Sequence, residues 1–247
     1  MKKVGFLVLS ALTLFSCDKK NDTPTTVDKY VDISIQPKYN NSNLYLDSIY
    51  TSAEGYLFKI TDVKCFITGL NYNGDTLIEA AAFDYRESGS RLCHVKANYT
   101  QFPSLIGNIG VLSSLNHSDP SAFPNNSPLN ISNAGPMHWG WNPGYIFFNI
   151  EGKADTLQDG TALLDHSFSF HIGTDTYLKN FSFSNLSWLK VNENEYTLPL
   201  DFDFNTFFQN PGSTIDLKTE YLTHTAASQE TLTIKVAENF KNALRPH

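Results

Sequence analysis

The chain reads as a mainly β protein, an antiparallel β-sandwich with long loops and a C-terminal helix. Three observations predict this: segments of alternating apolar and polar residues recur, no strand-helix-strand order is seen, and aromatic residues make up 13% of the chain beside only 17% charged ones. The first segment is Tyr30 to Pro37 (YVDISIQP), where Val31, Ile33 and Ile35 alternate with Asp32, Ser34 and Gln36, the period of a strand buried on one face. Leu57 to Leu70 is a second, and Asn73-Gly74 before Thr76-Leu77 predicts a tight hairpin because both residues accept positive φ. Tyr145 to Glu151, Ser167 to Ile172, Tyr177 to Phe183 and Leu198 to Phe204 follow as strands. The last is the cleanest, with Leu198, Leu200, Phe202 and Phe204 set against Pro199, Asp201 and Asp203. Ala226 to Leu244 places Leu232, Val236, Phe240 and Leu244 four apart, which predicts a helix packed on the sandwich, although Thr231-Leu232-Thr233-Ile234 suits a strand equally well.

The N-terminus carries a different kind of signal. Met1-Lys2-Lys3 is positive, Val4 to Phe15 is apolar, and Leu14-Phe15-Ser16-Cys17 reads as a lipobox. A lipoprotein signal peptide over residues 1–16 is expected, with Cys17 lipidated, residues 17–29 forming a polar tether and a single β domain over 30–247. No later stretch approaches the ~18 to 20 apolar residues of a membrane helix, so membrane contact is expected through the lipid alone. This places the protein in the cell envelope, anchored to the outer membrane and facing the periplasm or the surface. A net charge of −7 and few basic residues argue against nucleic acid as a partner. In an oxidising compartment Cys65 and Cys93 are able to pair, but spacing alone does not decide it. Neither a C-x-x-C nor an H-x₃-H spacing supports a zinc site at Cys93-His94.

Between the strands, imidazoles and indoles concentrate where no core period exists. Leu115-Asn116-His117-Ser118-Asp119-Pro120 is followed by Met137-His138-Trp139-Gly140-Trp141-Asn142-Pro143-Gly144-Tyr145, inside an Asn/Ser/Pro-rich run too long for a simple hairpin loop. Long ordered loops are where function concentrates. The ordered set, extended by Ile109-Gly110-Val111 upstream, by the Glu151-Gly152 pair and by Phe170-His171-Ile172-Gly173 downstream, resembles the MbnP family of periplasmic copper-binding proteins from about Tyr30 onward. Described members often carry four cysteines; with only Cys65 and Cys93 in its domain, this chain looks like the lipoprotein branch of Bacteroidetes-type bacteria.

The resemblance implies one copper ion held by two histidines, for which His117 and His171 are the first choices. It also implies that a partner dihaem protein of the peroxidase superfamily (MbnH-type) oxidises a tryptophan of the motif to kynurenine, whose aniline nitrogen joins the metal. Trp139 and Trp141 are both candidates. The chemistry is consistent, because neutral imidazole suits copper, whereas an unmodified indole offers only an N–H donor. By strand alternation His171 points away from Phe168 and Phe170, and His166 shares their face. His138 points opposite to the two tryptophans, and with His224 it is a candidate for the outer shell of the site. His94, His166 and His247 are read as structural or solvated.

Catalysis by the chain itself finds no support: G-x-S-x-G, H-E-x-x-H and phosphate-binding glycine loops are all missing. Asp201 and Asp203, on the outward face of their strand, read as solubilising charge rather than a glycosidase pair. The expectation is therefore a binder that acquires, stores or delivers copper. The competing readings are a surface lipoprotein that holds glycan or peptide on exposed aromatics, and an adhesion module with no small ligand.

Overall fold

A computed structural model of the chain describes residues 27–140, 143–157 and 159–247. The signal peptide, Cys17, most of the tether and Trp141 lie outside the described residues. In chain order the main strands are β1 (Tyr30–Tyr39), β2 (Leu57–Tyr72), β3 (Asp75–Asp84), β4 (Arg91–Lys96), β5 (Leu105–Ile109), β6 (His138–Gly140), β7 (Gly144–Ala154), β8 (His166–Gly173), β9 (Lys179–Phe183), β10 (Leu189–Asn192), β11 (Glu195–Asp203), β12 (Leu222–Thr223) and β13 (Leu244–Pro246). The helices that position the site or the core are α1 (Ser113–Asn116), α2 (Ile131–Ala134), α3 (Phe204–Phe208) and α4 (Glu230–Ala243).

β1 buries every second residue along its length, as its alternation requires, and it lies at the centre of the first sheet between β4 and β11. The second sheet runs β9–β5–β2–β7–β8–β12, with β3 paired to β2 and β6 to β7. Ile33, Leu198 and Leu200 of the first sheet meet Ile67, Leu70, Leu105, Phe181 and Phe183 of the second, which makes the predicted sandwich core. The hairpin after β2 turns at Asn73 and Gly74, at φ 51° and 89°.

The sheets are mixed rather than purely antiparallel. β1 runs parallel to β11, from Tyr30 opposite Glu195 to Lys38 opposite Asp203, and β8 runs parallel to β12. Strand direction across so long a separation is set by the path of the intervening chain, which local alternation does not record.

α4 confirms the helical reading of the C-terminal segment. Val236, Ala237 and Phe240 are buried, and Phe240 stacks on Phe148 at 4.0 Å and against Phe202 at 4.5 Å. Thr233 is buried while Ile234 is 46% exposed, the reverse of what a strand with Leu232 and Ile234 on its inner face would show. Each of these enclosed phenylalanines contributes about 1.5–3 kcal/mol by leaving water. Phe204 does not end the strand before it; Asp203 accepts from the Asn205 amide at 2.9 Å and starts α3, which buries Phe204, Phe207 and Phe208. Tyr177 likewise belongs to a 3₁₀ turn, Asp175–Tyr177, and β9 begins at Lys179.

Three further expectations are resolved by packing. Cys65 and Cys93 are both free, and burial pushes each thiol up to about 12. Asp201 is buried rather than solubilising, 3.0 Å from His247 and 3.9 Å from Lys38. The Asn/Ser/Pro-rich run is ordered by its own side chains: Asn130 caps α2 and donates to the Phe123 carbonyl at 2.7 Å, and Asn133 donates to the carbonyls of Asn125 and Ser127. Among the described residues no helix is long and apolar enough to cross a membrane.

Candidate metal centre

β8 turns Phe168, Phe170 and Ile172 into the core and Ser169 and His171 to the opposite face of the sheet. Across the ladder Ser169 lies opposite Glu151, and His171 opposite Asn149. His171 is therefore flanked by polar groups: its Nε2 lies 2.7 Å from Glu151 Oε1 and 3.1 Å from Ser169 Oγ. Its side chain is only 20% exposed, so it is more enclosed than a surface imidazole on an open sheet.

His224 is its immediate neighbour. β12 pairs with Ser169 and Phe170, and the next residue lays its imidazole on that of His171, with ring centroids 4.6 Å apart and planes 7° from parallel. His224 Nε2 reaches Ser169 Oγ at 3.4 Å, so both imidazoles share one hydroxyl. The backbone secures this placement. Thr225 Oγ1 accepts from the Gly173 amide and donates to the His171 carbonyl, each at 3.0 Å, and Gln229 Oε1 accepts from the His224 amide at 2.9 Å. Burial, and then the adjacent His171, hold the pKa of His224 below the usual histidine value, with Glu151 pulling the other way. Neutral imidazole is the form that ligates metal.

Trp139 arrives on the β6–β7 hairpin, in which His138 lies opposite Tyr145 and Gly140 opposite Gly144. A Cβ at Gly173 would fall 2.6 Å from Trp139 Cζ3, so the indole lies directly on the backbone two residues past His171. His138 packs edge-on to the Tyr145 ring at 4.7 Å, and burial lowers its pKa.

His117 is attached to the same end of β8 by another route. It follows α1, is 52% exposed, and its Nε2 lies 3.1 Å from Asp175 Oδ2, in the turn just after Gly173. Asp175 also accepts from Ser113 Oγ and, at 2.9 Å, from Asn116 Nδ2. Burial pushes this carboxyl up, but the hydrogen bonds from Ser113, Asn116 and His117 outweigh it and hold the group below the ordinary range. Asn116 in turn accepts from the Tyr145 amide at 2.9 Å, and a Cβ at Gly144 would fall 2.2 Å from its Oδ1, which is why glycine stands there. The Tyr145 hydroxyl donates to the Leu129 carbonyl and ties the long loop down.

His171 and His224 stack beside β8, Trp139 lies on the Gly173 backbone, and His117 reaches Asp175 in the turn that follows. The direct imidazole partner of His171 is His224, whereas His117 contacts Asp175. Ser169, Asp175 and Thr225 are parts of this arrangement that sequence reasoning passed over, and Glu151 and Asn116 entered it only as residues of the motif. Glu151 carried one legible signal: it stands in the Glu-Gly pair of the motif, directly after the buried run Gly144 to Ile150 of its strand.

The donor set suits copper or another late first-row cation, being imidazole with carboxylate. On the same face Asn149 Oδ1 and Asp62 Oδ1 are buried without a hydrogen-bond partner, acceptor oxygens that a cation or a donor would satisfy. Asp62 lies opposite Glu151, takes the Asn149 amide at 3.0 Å, and shares Lys64 with Asp84 at 3.3 and 3.2 Å. Trp139 packs on the Gly173 backbone, and an unmodified indole offers no lone pair to a metal.

A mixed β-sandwich with an imidazole cluster on one sheet face, fed by a long ordered loop, defines the class. The MbnP family model matches residues 28–232, and the chain belongs to that family. Among solved structures, MbnP from Methylosinus trichosporium is similar over 77% of this chain and 79% of that chain, with 13% sequence identity and a TM-score of 0.49. No curated protein matches. Family membership associates the chain with copper-related function.

Proposed function

We propose that the protein is a copper-binding lipoprotein of the cell envelope, tethered through Cys17, which acquires, stores or delivers the metal and is not itself an enzyme. The observation that carries this reading is the face-to-face pair of His171 and His224, with Glu151 at the His171 Nε2 and Trp139 against the adjoining backbone. His171 is the central ligand. His224 and His117 are the imidazoles from which a second nitrogen comes, and Asp175 holds His117 near the same strand end. Copper supplies an ion that prefers nitrogen donors in this geometry; the chain supplies neutral imidazoles, a carboxylate and a partly enclosed face. On this reading Trp139, or Trp141 two residues later in the sequence, is the residue that a dihaem peroxidase partner converts to kynurenine, turning a ring without a metal-binding lone pair into one with an aniline nitrogen.

The test is copper stoichiometry on the purified protein, with and without co-expression of a dihaem peroxidase, together with intact mass. In a His94→Ala background, which removes a separate nitrogen donor on the other sheet, one copper per chain is expected, lost on adding His171→Ala, with a melting curve close to that of the parent and a mass change at the Trp139–Trp141 segment only after co-expression. Stoichiometric copper retained by the His94→Ala/His171→Ala double variant would refute the site. A carbohydrate binder would lose its ligand on Trp139→Ala without any metal dependence.

A further inference from the structure

A second group of metal-ligating side chains lies on the other sheet, on the outer face of β4–β1–β11. Asp32, His94 and Glu195 each offer one ligand atom, and the three atoms all lie within 4.8 Å of one another. We propose that they form a binding site for a divalent first-row cation, separate from the centre on β8.

The placement follows from register. Asp32 sits on the central strand and alternates outward from the buried Val31 and Ile33. His94 is directly opposite it on β4, and Glu195 reaches over from β11, where it pairs with Tyr30. His94 Nδ1 is 2.9 Å from Asp32 Oδ1 and 3.9 Å from Glu195 Oε1. Three neighbouring strands in a hydrogen-bonded ladder hold the donors, so little backbone freedom is lost on binding.

Contacts outside the triad aim the ligands. The Tyr30 ring stacks on His94 at 5.0 Å with planes 7° apart and fixes the imidazole plane. Asn192 Nδ2 donates to Glu195 Oε2 at 2.9 Å, leaving Oε1 turned to His94. Outer partners that orient a ligating histidine and carboxylate in this way are a recurrent feature of metal sites.

The charge balance supports a cation. Lys96, which lies opposite Tyr30, pairs with Asp28 at 2.6 Å, and Lys190 pairs with Glu193 at 2.6 Å. Among the described residues, the cation drawn to the triad is Arg91, whose Nε is 3.8 Å from Asp32 Oδ1 and whose side chain is 67% exposed, free to swing into solvent. One nitrogen and two carboxylates form a mixed donor set with open positions for water. That composition favours zinc, copper and their neighbours over magnesium or calcium, which prefer all-oxygen shells.

Zinc is the probe, titrated calorimetrically into the His171→Ala protein so that the centre on β8 is disabled. One ion per chain is expected. His94→Ala, and separately Asp32→Asn with Glu195→Gln, should each weaken zinc at least about tenfold, while Arg91→Ala should tighten it severalfold by removing the competing guanidinium. All four positions lie on the outer sheet face, and a melting curve verifies that each variant folds. The proposal is overturned if the His171→Ala protein takes up no zinc, or if both ligand variants bind it as their parent does. Because this experiment is run without the β8 centre, its failure leaves the copper reading untouched, and the converse holds.

Discussion

Gly173→Ala is the most direct test of how the β8 centre is assembled. The added methyl would lie 2.6 Å from Trp139 Cζ3, 3.3 Å from Trp139 Cε3 and 2.7 Å from the Tyr145 carbonyl oxygen. Carbon atoms pack at about 3.5–4.0 Å, so the indole has to retreat by roughly 1 Å. The Tyr145 oxygen is less able to move, because Tyr145 is fixed by Asn116 through its amide and by Leu129 through its hydroxyl. Overpacking of this kind costs about 1–3 kcal/mol, which for a chain of this size lowers the melting temperature by roughly 2–12 °C. The assay is thermal or urea unfolding followed by circular dichroism, with copper uptake measured in parallel. A double-mutant cycle separates the causes: Trp139→Ala removes the aromatic half of the clash, so Gly173→Ala should cost less in that background, with a coupling of at least about 0.5 kcal/mol. If the two substitutions add independently, or if Gly173→Ala melts like the parent, the indole does not rest on this backbone and the account of the site is wrong.

Other consequences follow from the same geometry. Asn116→Ala leaves the buried Tyr145 amide without its acceptor and Asp175 without one donor, and should cost about 1–3 kcal/mol in urea unfolding while displacing His117. Cys65 and Cys93, with thiols pushed up to about 12, should resist iodoacetamide at mildly alkaline pH in the folded protein and both react after denaturation; rapid labelling of the native chain would contradict their burial. His224, whose folded pKa lies below the ordinary histidine value of 6.5, stays neutral where the unfolded chain takes up a proton, so its contribution to stability is present above 6.5 and is lost as pH falls below it. Imidazole NMR titration should show this histidine protonating below 6.5, and an elevated midpoint would count against the His171–His224 stack.

Much of this was legible in the linear chain. Alternation of Val31, Ile33 and Ile35 determined a half-buried strand, the four-residue spacing of Leu232, Val236 and Phe240 determined a helix, and Asn73-Gly74 determined a hairpin, because each depends on neighbours a few residues apart. The motif around His117, Trp139 and His171, and with it the family, was also readable as an ordered set of residues. What only the tertiary structure decided depends on which distant strands lie side by side. The parallel pairing of β1 with β11 brings Glu195 to Asp32 and His94, and the parallel pairing of β8 with β12 lays His224 on His171. Nothing local in those segments encodes the direction or register of such ladders; they are settled by burying both inner faces at once, and the polar side chains on the outer faces meet as a consequence.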